Sequence, residues 1–134
     1  MNHETGIRII EEWHRLVRER DMGAMNALLD DEVVFHSPVV HSPQKGKAIT
    51  SKYLAAALEV LNNDKFTYLR EIVGERDAML EFTTEIDGVL VNGVDIIRWN
   101  DAGRIVDFKV MVRPLKAIDA VHRQMGAMLQ RLAG

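Results

Sequence analysis

Two turns in the second half of the chain restrict its folding more than any other feature. Asp87-Gly88 is a two-residue hairpin signal, and Asn100-Asp101-Ala102-Gly103 is a turn-rich tetrapeptide closed by glycine. Each separates two strand-like runs, so residues from about 77 to 113 read as an antiparallel meander. The first turn pairs Leu80 with Asp95, Phe82 with Gly93 and Thr84 with Val91. A four-residue second loop pairs Trp99 with Arg104 and sets Asp95 opposite Phe108, Ile97 opposite Val106 and Gly93 opposite Val110. Side chains alternate along a strand. Both turns therefore send Asp95 to the face that also carries Ala78, Leu80, Phe82, Phe108, Val110 and Val112. A carboxylate among such neighbours is either a bonded structural group or part of a site, and desolvation should raise its pKa.

The opposite face of the same strands carries Val94, Ile96, Ile105 and Met111 with Glu81, Arg98, Asp107 and Lys109 among them. An apolar patch with a mixed-charge rim is expected to be an interface, here between two copies of the chain. The competing expectation is that the C-terminal helix covers this face within one chain.

The rest of the chain reads as helices placed before and after the sheet. Residues 5–20 have helical spacing with Thr5 as N-cap and Ile7, Ile10, Trp13 (or His14) and Val17 inward. Asp21 caps a short second helix. A strand, VVFHSPVV, is interrupted by Pro38, which suits a sheet edge or a strand end. A third helix runs from about Lys47 to Leu61 with Ile49, Tyr53, Leu54, Ala57 and Val60 near one face, and Phe66–Val73 is a further strand. Pro114 opens a last helix, where its missing N–H does no harm. Its apolar stripe is Leu115, Ile118, Val121, Met125, Met128, Leu129 and Leu132. This order is α+β within a single domain, residues 1–134.

Composition removes several function classes. With no cysteine, neither disulfides nor thiolate metal sites can form. A net charge of −3 makes no case for nucleic acid. No apolar run reaches the roughly 18 residues of a membrane span, and MNHETGIRIIEEW lacks a signal-peptide core, so a cytoplasmic location is expected. The five histidines have neither HxH nor HExxH spacing, and no GxGxxG, GxxxxGK[ST] or GxSxG is present. No metal and no nucleotide or other cofactor is expected. His36, which alternates with Phe35 and Ser37 and so points outward when they point inward, and His41, in a loop, are candidate general bases because imidazole titrates near neutral pH.

The run WHRLVRERDMGAMNALLDDEVVFHSP…KGKAI…KYL, followed by the meander ending VDIIRWNDAGRIVDFKV, resembles the nuclear transport factor 2-like superfamily, in its SnoaL-like branch. The resemblance spans about residues 5–113. It implies a cone-shaped, cystatin-like fold in which a curved antiparallel sheet wraps the N-terminal helices around a pocket, with the C-terminal helix as an addition. It implies dimers, and relatives that include polyketide cyclases and ketosteroid isomerases. In the ketosteroid isomerases a tyrosine of the first helix and a protonated aspartate of the strand before the last hairpin form an oxyanion hole. Asp95 matches that aspartate. Trp13 stands at the tyrosine position and Ser37 at that of the general base, which argues against steroid-type isomerisation. The expected site is Asp95 as the catalytic group, with Trp13, Phe35, Ser37, Tyr53, Leu80, Phe82, Phe108 and Val110 as ligand-binding wall. The expected function is that of a small-molecule pocket protein, an isomerase, lyase or cyclase acting on a small apolar carbonyl or hydroxyl compound. The alternatives are a non-catalytic binding module and a dimeric interaction module of the same fold.

Overall fold

The computed structural model describes residues 2–133, so Met1 and Gly134, the ends of the expected domain, lie outside the described residues. The elements are α1 (His3–Glu19), α2 (Met22–Leu28), β1 (Leu29–His36), β2 (Gln44–Lys45), α3 (Lys47–Leu61), β3 (Thr67–Val73), β4 (Asp77–Ile86), β5 (Val89–Trp99), β6 (Ile105–Arg113) and α4 (Leu115–Ala133). One sheet runs in the order β2-β1-β6-β5-β4-β3. The meander β3 to β6 is antiparallel, and β1 joins β6 in parallel, which makes the sheet mixed. β1 ends before Pro38 and lies between β6 and the two-residue β2, just inside the sheet edge.

The β4–β5 hairpin has the register its turn implies. Asp87 and Gly88 both have positive φ, 51° and 77°, as a tight turn matched to strand twist requires. Leu80, Phe82 and Thr84 stand opposite Asp95, Gly93 and Val91. The β5–β6 pair differs from expectation. Asp95 faces Val110, Gly93 faces Val112 and Ile97 faces Phe108, and the register slips between Arg98 and Trp99, which pairs with Ile105. Val106 is the extra residue of a β-bulge. Away from the bulge the offset is two residues, so the inward set is preserved. At the bulge it is one, so Ile105 turns into the core and is fully buried. Its expected place on the outer face is thereby corrected.

Helix faces also shift. Asn2, not Thr5, caps α1, its side chain accepting from the Thr5 amide. The buried stripe of α1 is Gly6, Ile9, Ile10, Trp13, Leu16 and Val17, whereas Ile7 is exposed. Gly6 lets the helix approach the β3–β4 turn, since a Cβ there would lie 2.4 Å from the Gly74 carbonyl oxygen. Asp21 caps α2 through the Ala24 amide. On α3 the buried residues are Thr50, Leu54 and Ala56, and Ile49 is turned out. α3 lies between β1 and α4, so small side chains suit it better than the expected stripe. α4 buries Ala117, Ala120, Val121 and Met125 against α3 and the meander and leaves Leu115 and Leu132 exposed. Because it joins the core beside α3, the outer sheet face stays uncovered. Met79, Met111 and Ile72 are exposed there around a groove of ≈ 530 Å³.

Candidate functional site

A small cavity of ≈ 40 Å³ lies between the meander, α1 and α3. A space of this size holds a few waters and no more. The sheet contributes Tyr68, Phe82, Asp95, Phe108 and Val110. Trp13 comes from α1, and Leu54, Ala57, Leu58 and Leu61 come from α3. Asn62 and Phe66 close it from the α3–β3 connection. The walls are therefore apolar and aromatic. Trp13 packs on Phe108 with ring centroids 5.1 Å apart, and Phe66 stacks on Phe82 at 5.3 Å. Gly93 makes the Phe82 position possible. The ring lies across the glycine, where a Cβ would be 2.3 Å from its Cζ.

Asp95 is the carboxyl-bearing residue of this wall. It is 7% exposed, and among the described residues no group hydrogen-bonds its carboxyl. Burial alone pushes its pKa up to about 8. It is thus largely neutral at neutral pH, with an ionised fraction that grows just above it. The structural explanation considered from the sequence, a carboxylate held by a hydroxyl or backbone amide, has no counterpart in these bonds.

Tyr68 is the polar partner that sequence reasoning missed. Its hydroxyl accepts a hydrogen bond from Trp13 Nε1 at 3.1 Å, so its own proton is free to be donated. Trp13, which stands at the position of the isomerases' tyrosine, therefore donates to Tyr68 and not to Asp95. Burial, and after it the charge of Asp95, hold the phenol well above its ordinary pKa, so it acts as a donor and not as a phenolate. Counted back from the turn at Gly74, Tyr68 would pair with Thr83 and point outward. A register slip between Tyr68 and Glu71 sets it opposite Phe82 instead, on the inner face. Nothing in the local sequence marks that slip.

Five of the nine expected site residues line the cavity: Trp13, Phe82, Asp95, Phe108 and Val110. Four are placed elsewhere. Leu80 and Phe35 are buried in the core, Phe35 against Tyr53 and Phe108 at 5.6 and 6.2 Å. Tyr53 is half-buried beside Phe35. Ser37 Oγ accepts from the Val39 and Val40 amides, which commits it to the turn after β1. His36 projects to the outer side, where Nε2 lies 3.1 Å from Asp107 Oδ2, and His41 is exposed in its loop. Neither histidine reaches Asp95. Among the described residues no three acidic or imidazole side chains converge, and no helix is long and apolar enough to cross a membrane.

A second space of ≈ 370 Å³ adjoins the cavity, and Asn62, Phe66 and Tyr68 belong to both. Its other walls are His14, Val17 and Arg18 of α1 and Glu71 of β3. His14 packs edge-on against Tyr68, with centroids 4.5 Å apart, and its Nε2 pairs with the Glu71 carboxylate.

Residues 10–108 match the family model described as a SnoaL-like domain. Among solved structures, a steroid delta-isomerase from Pseudomonas aeruginosa is 37% identical, covering 97% of this chain and 96% of its own, with a TM-score of 0.90. A protein with a cystatin-like fold from Silicibacter pomeroyi is 29% identical over 89% of this chain and 83% of its own, with a TM-score of 0.82. An NTF2-like protein of unknown function from Mesorhizobium loti, 21% identical over 84% of this chain and 93% of its own, shares the fold with a TM-score of 0.72. No curated protein matches the chain.

Proposed function

Because the chain belongs to the SnoaL-like domain family, we propose that it is a small-molecule enzyme of the isomerase type, in which Asp95 moves a proton on a small, mostly apolar carbonyl compound. The observation that carries this reading is the unbonded Asp95 carboxyl in the cavity wall, with a pKa of about 8, beside the free O–H of Tyr68. A catalytic base works best with a pKa near the operating pH. Ionised Asp95 takes a proton from the carbon beside the carbonyl. The C–H electrons pass into the enolate, and its oxygen accepts from Tyr68. Asp95 then returns the proton to a different carbon, so atoms and charge balance. Lyase and cyclase reactions begin with the same abstraction and differ in the fate of the enolate.

The name of the Pseudomonas aeruginosa relative supports the reaction class, and the small interior favours a compound smaller than a steroid. Ser37 offers no carboxylate base, so both acid–base duties fall to Asp95. The test is turnover of small β,γ-unsaturated ketones followed by the ultraviolet absorbance of the conjugated product. We expect kcat/KM to rise with pH through about 8 as Asp95 ionises. Tyr68→Phe should lower it about 10²–10³-fold, the usual effect of losing one oxyanion donor, without moving the midpoint. Ligands that raise the melting temperature without any turnover would instead leave a binding module of the same fold.

We also propose that the outer sheet face joins two copies of the chain. Met79, Ile72 and Met111 are exposed, with Val94 and Ile96 half-buried between them. The ion pairs Arg70–Glu81 and Arg98–Asp77 give both signs of charge, so the surface complements itself about a two-fold axis. Val94→Glu with Ile96→Lys should lower the mass measured by light scattering from dimer to monomer. An unchanged dimer would place the interface elsewhere.

A further inference from the structure

The inner cavity is too small to enclose a ring-bearing substrate, whereas pockets for such ligands occupy about 300–1,000 Å³. The neighbouring space of ≈ 370 Å³ is large enough, and the two share Asn62, Phe66 and Tyr68 as a common wall. Tyr68 thus presents its hydroxyl to the inner side and its ring to the outer one, where His14 packs on it.

The outer space differs sharply in chemistry from the inner one. It contains the carboxylate of Glu71, but His14 engages that group. Arg18, one turn further along α1, has no carboxylate partner among the described residues. Arg15 and Arg20, by contrast, are paired with Glu12 and Glu59. Asn62 is fixed by donating to the Val17 carbonyl and by accepting Arg20 at its own carbonyl, so this wall is rigidly placed. The Arg18 guanidinium, exposed at the rim of the space that Phe66 and Tyr68 line, is free to take a carboxylate in a bidentate manner.

Resting on the isomerase reading above, we propose that the outer space is the second half of the substrate site and that the substrate is a small unsaturated ketone bearing a carboxylate. The carboxylate sits on Arg18, the body of the molecule passes along Phe66 and Tyr68, and the carbonyl end reaches Tyr68 and Asp95. Arg18 is a binding residue and takes no part in the proton transfer.

The test uses two matched probes, 4-phenyl-3-buten-2-one and its para-carboxylate, titrated calorimetrically into the full chain. The carboxylate should bind about tenfold more tightly, the worth of one charge-assisted hydrogen-bonded pair at a half-open site. Arg18→Ala should erase that ratio while leaving the neutral probe unchanged, and Arg18→Lys should keep part of it. Tyr68→Phe should weaken both probes equally and preserve the ratio. A ratio near one for the wild type, or a ratio that survives Arg18→Ala, overturns the proposal. If Tyr68→Phe still weakens both probes in that case, the inner site stands without the outer half. If Arg18→Ala erases the ratio but Tyr68→Phe changes nothing, the outer half stands and the assignment of the carbonyl site fails.

Discussion

Asp95→Asn is expected to make the protein more stable and to stop it working. In the unfolded chain an aspartate ionises near pH 4. In the folded chain burial holds Asp95 neutral up to about 8. Between these values the native state carries one more proton than the unfolded state. The contribution of Asp95 to wild-type stability is therefore greatest below about pH 4, falls as pH rises by up to about 1.4 kcal/mol per unit, and levels off above about 8. Asparagine has nearly the same shape and no charge, so the variant escapes this loss. Against that gain stands the burial of an amide that lacks partners, a cost of about 1–3 kcal/mol. The net at pH 7 should be a gain of about 1–3 kcal/mol in urea unfolding, larger at pH 9 and absent at pH 4.5. Turnover should fall about 10²–10⁴-fold, because an amide cannot accept the substrate proton. A loss of stability with turnover intact would make Asp95 structural.

Gly93→Ala should have the second-largest effect, through a different cause. The new methyl group would lie within 2.9 Å of three atoms of the Phe82 ring. That ring is buried, stacked on Phe66 and part of the cavity wall, so it has one open direction, into the ≈ 40 Å³ cavity. Overpacking of this kind costs about 1–3 kcal/mol, to be read from the urea midpoint. The displaced ring should also abolish binding of a carbonyl probe. Phe82→Leu in the same background restores room and should recover both part of the stability and part of the binding. If Gly93→Ala binds the probe as the wild type does, Phe82 has another place to go and the cavity is not the binding space.

Much of the architecture was legible in the residues because it is written in short-range chemistry. Asp87-Gly88 tolerates the left-handed conformation that a two-residue turn demands, and that turn fixes the β4–β5 register. The register and a period of two then place Asp95 among Leu80, Phe82 and Val110, so the raised pKa follows from the sequence alone. Asp21 as a cap and Pro114 before the last helix are equally local.

What tertiary structure decided lies at two register slips and on the helix faces. A β-bulge costs little and one extra residue reverses a side chain, so the position of a bulge is chosen by what the flanking strands must pack against. That choice buries Ile105 rather than leaving it outside, and it turns Tyr68 inward beside Asp95. Helix rotation is chosen the same way. An amphipathic pattern permits several neighbouring stripes, and contact with the sheet and with α4 selects Ile9 and Leu16 over Ile7 on α1 and Thr50 over Ile49 on α3. The polar group of the site that a local reading can find is therefore Asp95. Its partner Tyr68 and the outer space bounded by Arg18 exist only once distant segments are packed together.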